Sequence, residues 1–197
     1  TTLASVGAMS TNANLGIGGS EWPDLTPDGR FVAFASTATN LVAGVQTVGD
    51  IYVRDLVAGT THWASVDARS VMQSVLGVSS AVCYNHVLSA DGHFVAFQAN
   101  TNSNTATVTC GIILRYNVQS GATDLVNTNA NVASGAYDDI RSLDMSSDGR
   151  RIAFVGNSND MSGATSCILV WDAETGATVL ASGTTNGTVP ANTTCQW

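Results

Sequence analysis

The sequence contains no lysine, and its seven basic residues are all arginine. Charged residues make up only 11% of the 197 residues, and the net charge is -8. Proteins that bind nucleic acid contact the phosphate backbone through lysine and arginine, so this composition argues against a nucleic-acid partner. No run of eighteen or more apolar residues occurs, so no membrane-spanning helix is predicted.

Sequence motifs of catalysis and of metal binding are also missing. No Gly-x-Ser-x-Gly elbow is present, and the three histidines lack a spacing such as His-Glu-x-x-His. We therefore expect the chain to have no catalytic activity of its own, no cofactor and no histidine-bound metal. What the chain has instead is serine, threonine, asparagine and glycine, which favour short strands and turns.

One segment occurs three times. Leu25–Phe34 reads LTPDGRFVAF, Leu88–Phe97 reads LSADGHFVAF and Met145–Phe154 reads MSSDGRRIAF. Each copy has an Asp-Gly pair before an apolar strand, and glycine adopts the positive φ that tight turns require. The turn residues that we predict are Asp28, Gly29, Asp91, Gly92, Asp148 and Gly149.

A second turn follows in each repeat, where Asp55, Asn117 and Asp172 each precede a glycine by four residues. The two turns divide a repeat of about 60 residues into four strands, a to d, with short turns at one end and long connections at the other. Four-stranded units of this length are typical of the blades of a β-propeller.

These repeats resemble the TolB-type, WD-like β-propeller repeats of bacterial extracytoplasmic proteins. The resemblance rests on the three Asp-Gly motifs and on the strand-c segments Ile51–Asp55 and Ile168–Asp172. It implies an all-β fold of four-stranded antiparallel blades in a six- to eight-bladed ring that serves mainly in protein interaction. Enzymes of this kind generally carry a separate catalytic domain.

We predict four parts in the chain. Residues 1–20 form the outer strand and loop of a preceding blade, because Thr1–Ser5 matches Thr178–Ser182 of the last blade. Blades 1, 2 and 3 occupy residues 21–82, 83–139 and 140–197. Three blades leave two terminal faces without a neighbour, with residues such as Phe34, Phe154 and Trp171, so we expect further blades from the same polypeptide or from a second copy.

Four cysteines suggest two disulfides. All four lie near the long-connection end, and we predict the pairs Cys83 with Cys110 and Cys167 with Cys195, separated by 27 and 28 residues. The alternative is four reduced, buried cysteines. Disulfides persist in oxidising compartments, so we expect the protein to be secreted or periplasmic.

Candidate binding residues cluster where strand a begins, at the mouth of the expected channel. They are aromatic, acidic or imidazole side chains: Glu21, Trp22, Tyr84, His86, Tyr137, Asp138 and Asp139. Exposed aromatic side chains favour protein interfaces and stack on sugar rings. The alternatives are that Trp22 packs between blades and that His86 has a structural role.

Carboxylates of the long connections could hold Ca²⁺, which takes six to eight oxygen ligands. Glu21, Asp138 and Asp139 lie there, together with Asp50 and Asp160, but no calcium-loop spacing is present. The alternative is a solvated acidic rim.

The sequence thus predicts a non-catalytic extracytoplasmic module for protein binding or assembly. Two alternatives stay open: a carbohydrate-binding propeller, and the propeller portion of a larger hydrolase.

Overall fold

A computed structural model describes residues 1–6, 19–100, 111–130, 143–157 and 166–182, with backbone alone at 129, 130, 156, 157, 166 and 167. Within these residues the chain forms three successive four-stranded antiparallel units and one helix. The prediction of an all-β protein built from three four-stranded blades is confirmed.

The strands of each blade follow one another in space as they do in sequence. Blade 1 consists of β1 (Ser20–Leu25), β2 (Phe31–Ser36), β3 (Asp50–Asp55) and β4 (Thr60–Trp63). Blade 2 consists of β5 (Val82–Leu88), β6 (Phe94–Asn100), β7 (Gly111–Asn117) and β8 (Thr123–Ala130). Blade 3 consists of β9 (Leu143–Met145), β10 (Arg151–Asn157), β11 (Ser166–Asp172) and β12 (Thr178–Leu180). One bridge, Gly156 with Ala130, joins blades 2 and 3.

Helix α1 (Ala68–Leu76) lies in the connection from blade 1 to blade 2. Ala68 and Met72, one turn apart on the same face, are fully buried. Gly77 ends the helix at a φ of +70°, and its N–H donates to the carbonyl of Gln73. The sequence predicts a long connection here and does not indicate the helix.

Two apolar cores separate the blades, because successive residues of a strand point to opposite faces of the sheet. The core between blades 1 and 2 includes α1 together with Ala33, Ile51, Val53, Val95, Phe97 and Leu114. The core between blades 2 and 3 contains Ala96, Ile113, Ile152, Phe154, Leu169 and Trp171. Phe154 and Trp171 therefore face blade 2, and the prediction that they lie on an uncovered terminal face is wrong.

The outer face of blade 1 is covered by the blade's own loop. Phe34 stacks on Tyr52 with ring centroids 5.8 Å apart, and Leu41 and Val45 of the β2–β3 connection pack against the pair. Phe34 is consequently 4% exposed. It lies on a terminal face as predicted, but that face is not open.

The first six residues have no strand in the structure, and their assignment to a preceding blade stays a prediction. Thr1–Val6 has bends and a turn with no strand pairing. A strand is stabilised by hydrogen bonds to a neighbouring strand, and this segment pairs with none among the described residues.

The three Asp-Gly turns share one hydrogen-bond pattern. Asp28 Oδ1 accepts from Thr26 Oγ1 at 2.6 Å and from the backbone N–H of Arg30 at 3.0 Å, and the N–H of Gly29 donates to Thr26 O. The same bonds recur around Asp91 and Asp148. In blade 1 the Asp28-Gly29 turn and the β3–β4 turn lie at the same end of the sheet, where Arg30 pairs with Asp55 at 2.8 Å. We call this the short-turn end.

Candidate functional site

The inner strands β1 and β5 carry a bulge at the same position of the repeat. Between Glu21 and Asp24, β1 has one residue more than the facing part of β2. Between Tyr84 and Val87, β5 has one residue more than β6. Bulges bend a strand and redirect its side chains, and they occur often beside functional sites.

Each bulge holds a non-glycine residue in the left-handed region. Trp22 has a φ of 54° and Asn85, 63 residues later, has a φ of 51°. A bulky residue in this region is uncommon and costs about 1–3 kcal/mol. The bulge leaves Trp22 56% exposed, so its indole lies at the surface rather than between blades.

Glu21 is exposed beside Trp22. Together with Pro23 it borders a cavity of about 160 Å³, which Ala4 and Ser5 close from the other side. The start of β1 therefore presents an exposed indole, an exposed carboxylate and, beside Glu21, a shallow recess. We call Glu21 and Trp22 with this recess the β1 rim.

Tyr84 and Asn85 occupy the corresponding part of β5 but are partly buried. Burial raises the pKa of the Tyr84 hydroxyl. Asn85 Nδ2 donates to Oε1 of the buried Gln98 at 3.0 Å. Blade 2 thus turns its bulge inward, where blade 1 exposes an aromatic side chain.

His86 lies behind the β1 rim, between blades 1 and 2. Both of its ring nitrogens are shielded from solvent and have no hydrogen bond. Burial lowers the pKa of His86, while the Asp24 carboxylate and the nearby carbonyls of Ala33 and Trp22 act in the opposite direction. The result is a neutral imidazole that packs between blades, as the structural alternative proposed.

Asp24 ties the two inner strands together. Its Oδ2 accepts a hydrogen bond of 2.7 Å from the backbone N–H of Leu88, 64 residues away. The sequence places Asp24 in the same strand as Trp22 but does not indicate its bond to blade 2. The bond fixes β1, and with it Trp22, against blade 2.

Asp50 is not a carboxylate of the rim, so its prediction as a calcium ligand is wrong. It is fully buried, and its oxygens accept bonds from Arg69 Nη1 at 2.8 Å, Ser65 Oγ at 2.6 Å and Trp63 Nε1 at 3.0 Å. Burial raises the pKa of Asp50, but these bonds outweigh it and hold the pKa below its usual value. All of its acceptor capacity is used inside the protein.

Cys83 is a free, buried thiol beside this network, which disagrees with its predicted disulfide to Cys110. It lies within β5 rather than in a loop, and its side chain belongs to the core between blades 1 and 2. Burial, followed by the Asp50 charge, raises the pKa of the thiol to about 12. Cys110 and Cys195 lie outside the described residues, so the pair Cys167 with Cys195 stays a prediction.

Tyr137, Asp138, Asp139 and Asp160 also lie outside the described residues. Among the residues that the structure describes, no three His, Cys, Asp or Glu side chains form a group able to hold a metal ion. In the same part of the chain, no helix has the length and apolar character to cross a membrane. Of the predicted site, the structure brings together Glu21 and Trp22 at the surface, with His86 behind them.

No protein-family model and no curated protein sequence matches the chain. Solved structures do. An acylaminoacyl peptidase from Pyrococcus horikoshii is 16% identical with a TM-score of 0.50, over 82% of this chain and 24% of that one. The β-propeller domain of the Trilobed protease from Pyrococcus furiosus is 14% identical with a TM-score of 0.50, over 82% of this chain and 42% of that one.

A TolB-like protein from Agrobacterium tumefaciens aligns at 17% identity and a TM-score of 0.45, over 82% of this chain and 48% of that one. The chain spans less than half the length of each of these structures. At such identities the likeness to the two peptidases shows the propeller fold alone. Membership of the TolB-type family stays a prediction from the repeat motifs.

Proposed function

We propose that the chain is part of a non-catalytic propeller module that binds another protein through the β1 rim. The observation that carries the proposal is the exposed indole of Trp22, held in a left-handed bulge on a strand that Asp24 anchors to blade 2. Tryptophan is enriched among the residues that dominate binding energy in protein interfaces. A rigid backbone lowers the entropy that such a side chain loses on binding.

Charge supports the same proposal. Glu21 stands beside Trp22, and the chain as a whole carries a net charge of -8. A partner surface with an apolar pocket for the indole and a basic margin for Glu21 would be complementary to the rim. We propose an extracytoplasmic location, as in the resembled repeats.

Quantitative co-purification tests this function. The native polypeptide is purified from its source as wild type, Trp22→Ala and Val57→Ala, the last a matched loss of an apolar side chain that is 78% exposed. We expect one or more proteins to be enriched with wild type and Val57→Ala and reduced at least tenfold with Trp22→Ala. Equal recovery with all three variants would reject the β1 rim as the binding surface.

The alternative is the propeller portion of a larger hydrolase. The propeller domains of two peptidases share the fold at a TM-score of 0.50, and the chain covers only 24% and 42% of those structures. The intact mass and peptide map of the native polypeptide separate the two functions. A covalently attached domain with a nucleophile elbow, active on peptide substrates, would favour the hydrolase.

A carbohydrate-binding propeller is tested on the same surface, because an indole also stacks on sugar rings. Binding on a glycan array that Trp22→Ala abolishes and Val57→Ala keeps would show that the ligand of the β1 rim is a glycan rather than a protein.

A further inference from the structure

A second recess lies at the short-turn end, between blades 1 and 2. It has a volume of about 340 Å³, at the lower end of the range for small-molecule sites. Its polar lining consists of Arg30, Asp55, His62, His93 and Gln119, and its remaining walls are Phe31, Gly92 and Val118. We call it the turn cavity.

The junction of blades 2 and 3 shows why this cavity exists. There Arg115 of β7 lies over the ring of Phe94 at 4.5 Å, donates to Gly149 O at 2.7 Å and pairs with Asp124 at 2.6 Å. Phe94 and Gly149 are the repeat counterparts of Phe31 and Gly92 in the cavity wall. An arginine of blade 2 itself thus fills the corresponding position.

Blade 1 has replaced both members of that ion pair. Val53 faces His62 across β3 and β4 as Arg115 faces Asp124 across β7 and β8. Val53 is too short to fill the recess and is fully buried in the core. The exchange of arginine for valine empties the space, and the exchange of aspartate for histidine removes its negative charge.

The one carboxylate that lines the turn cavity has no free acceptor. Oδ1 of Asp55 accepts from the backbone N–H groups of Val57 and Ala58, and Oδ2 accepts from Nε and Nη2 of Arg30. Its negative charge is therefore neutralised inside the protein. The Arg30 hydrogen bond also lowers the pKa of Asp55 to about 2, so it remains ionised.

Arg30 and His62, in contrast, have nitrogen atoms that can donate hydrogen bonds to a ligand. Among the described residues, Nη1 of Arg30 and both ring nitrogens of His62 make no hydrogen bond, and the Arg30 side chain is 47% exposed. His93 is held at the opening by Asp91 at 3.1 Å and by Gln119 at 2.8 Å. Arg30 is already paired with Asp55, and its Nη1 can still donate a charge-assisted hydrogen bond to a ligand carboxylate.

We propose that the turn cavity binds the carboxylate of a small ligand, with Arg30 and His62 as its donors. This site is separate from the β1 rim and does not depend on the function proposed for it. The carboxylate can belong to a free organic acid or to the end of a peptide, and the two sources offer the same chemistry to Arg30.

Titration calorimetry with succinate tests the proposal, with succinamide as the uncharged control. We expect saturable binding of succinate and none of succinamide. His62→Asp restores the residue of blade 2 and should weaken succinate binding at least tenfold, whereas Val57→Asp adds the same charge on an exposed turn and should leave it unchanged. N-acetyl-dialanine and its C-terminal amide form a second pair of probes, and the tighter of succinate and the peptide acid identifies the source.

The double variant Val53→Arg with His62→Asp transplants the pair of blade 2 and should fill the cavity. Its far-ultraviolet circular dichroism should match wild type while succinate binding is lost. Absence of saturable binding of both succinate and N-acetyl-dialanine to the wild type would overturn the proposal. So would equal affinities of the His62→Asp and Val57→Asp variants, or binding of guanidinium in place of succinate.

Discussion

Gly92 of blade 2 lies against the ring of Phe31 of blade 1, so closely that a Cβ on Gly92 would stand 2.2 Å from Phe31 Cδ2. The contact recurs one blade later, where a Cβ on Gly149 would stand 2.4 Å from the same atom of Phe94. The Asp-Gly turn therefore has two roles: it closes a hairpin within its blade, and it packs on strand b of the blade before.

Gly92→Ala should destabilise the protein more than Gly29→Ala. Both glycines have a positive φ, +73° and +71°, so both substitutions incur about 1–2 kcal/mol of backbone strain. A Cβ on Gly29 meets nothing within 4 Å, whereas one on Gly92 overlaps Phe31, which adds about 1–3 kcal/mol. Urea unfolding of both variants measures the difference.

A double variant isolates the interblade contact. Phe31→Ala should remove the additional cost of Gly92→Ala, because the ring is the obstacle. Equal losses for Gly29→Ala and Gly92→Ala would show that the two blades do not pack as described.

Loss of Asp50 should be among the most damaging changes of a polar residue. Asp50→Ala leaves the guanidinium of Arg69 without its carboxylate in a buried site, and breaking a buried ion pair costs about 3–5 kcal/mol. Glu174→Ala is the control, because Glu174 is 67% exposed and pairs with Arg150 at the surface. Surface pairs contribute about 0–1 kcal/mol. Comparable unfolding free energies for the two variants would contradict the buried network.

The free energy of unfolding should fall as the pH drops below about 6.5, the ordinary pKa of histidine, because His86 is neutral in the fold and takes up a proton on unfolding. A pKa that burial lowers makes the unfolded state bind more protons in this range, at most about 1.4 kcal/mol per pH unit. His86→Phe should flatten the profile between pH 7 and 5. An unchanged slope in His86→Phe would place His86 in contact with solvent.

The state of Cys83 distinguishes the structure from the sequence-based pairing. A free thiol with a pKa of about 12 should resist iodoacetamide at pH 8 in the folded protein and react after unfolding without reductant. Peptide mapping reads the label. A Cys83–Cys110 peptide in place of labelled Cys83 would restore the original pairing.

The blades could be predicted because their signals are local. Asp91 and Gly92 determine a turn through hydrogen bonds that span two or three residues, and the motif repeats three times in the sequence. The sequence also predicts Trp22 at the start of strand a, and Trp22 lies near the start of β1. Its exposure depends on the bulge, which the repeat motif does not indicate.

The misplaced residues depend on distant partners. Asp50 reads as a loop carboxylate until Arg69, nineteen residues later on an unpredicted helix, reaches it. Thr1–Val6 matches a strand in sequence but pairs with no strand among the described residues. The turn cavity exists because Val53 stands where blade 2 has Arg115. Aligning the repeats shows this exchange, but only the structure shows the space that it leaves.

Site-specific photo-crosslinking measures direct contact between the β1 rim and a partner protein. A photoreactive phenylalanine analogue replaces Trp22 or, as the control, Val57, in the native polypeptide within its source cells. We expect a discrete protein adduct from position 22 and none from position 57. Absence of an adduct at position 22, or the same adducts at both positions, would contradict a protein-binding role for this rim.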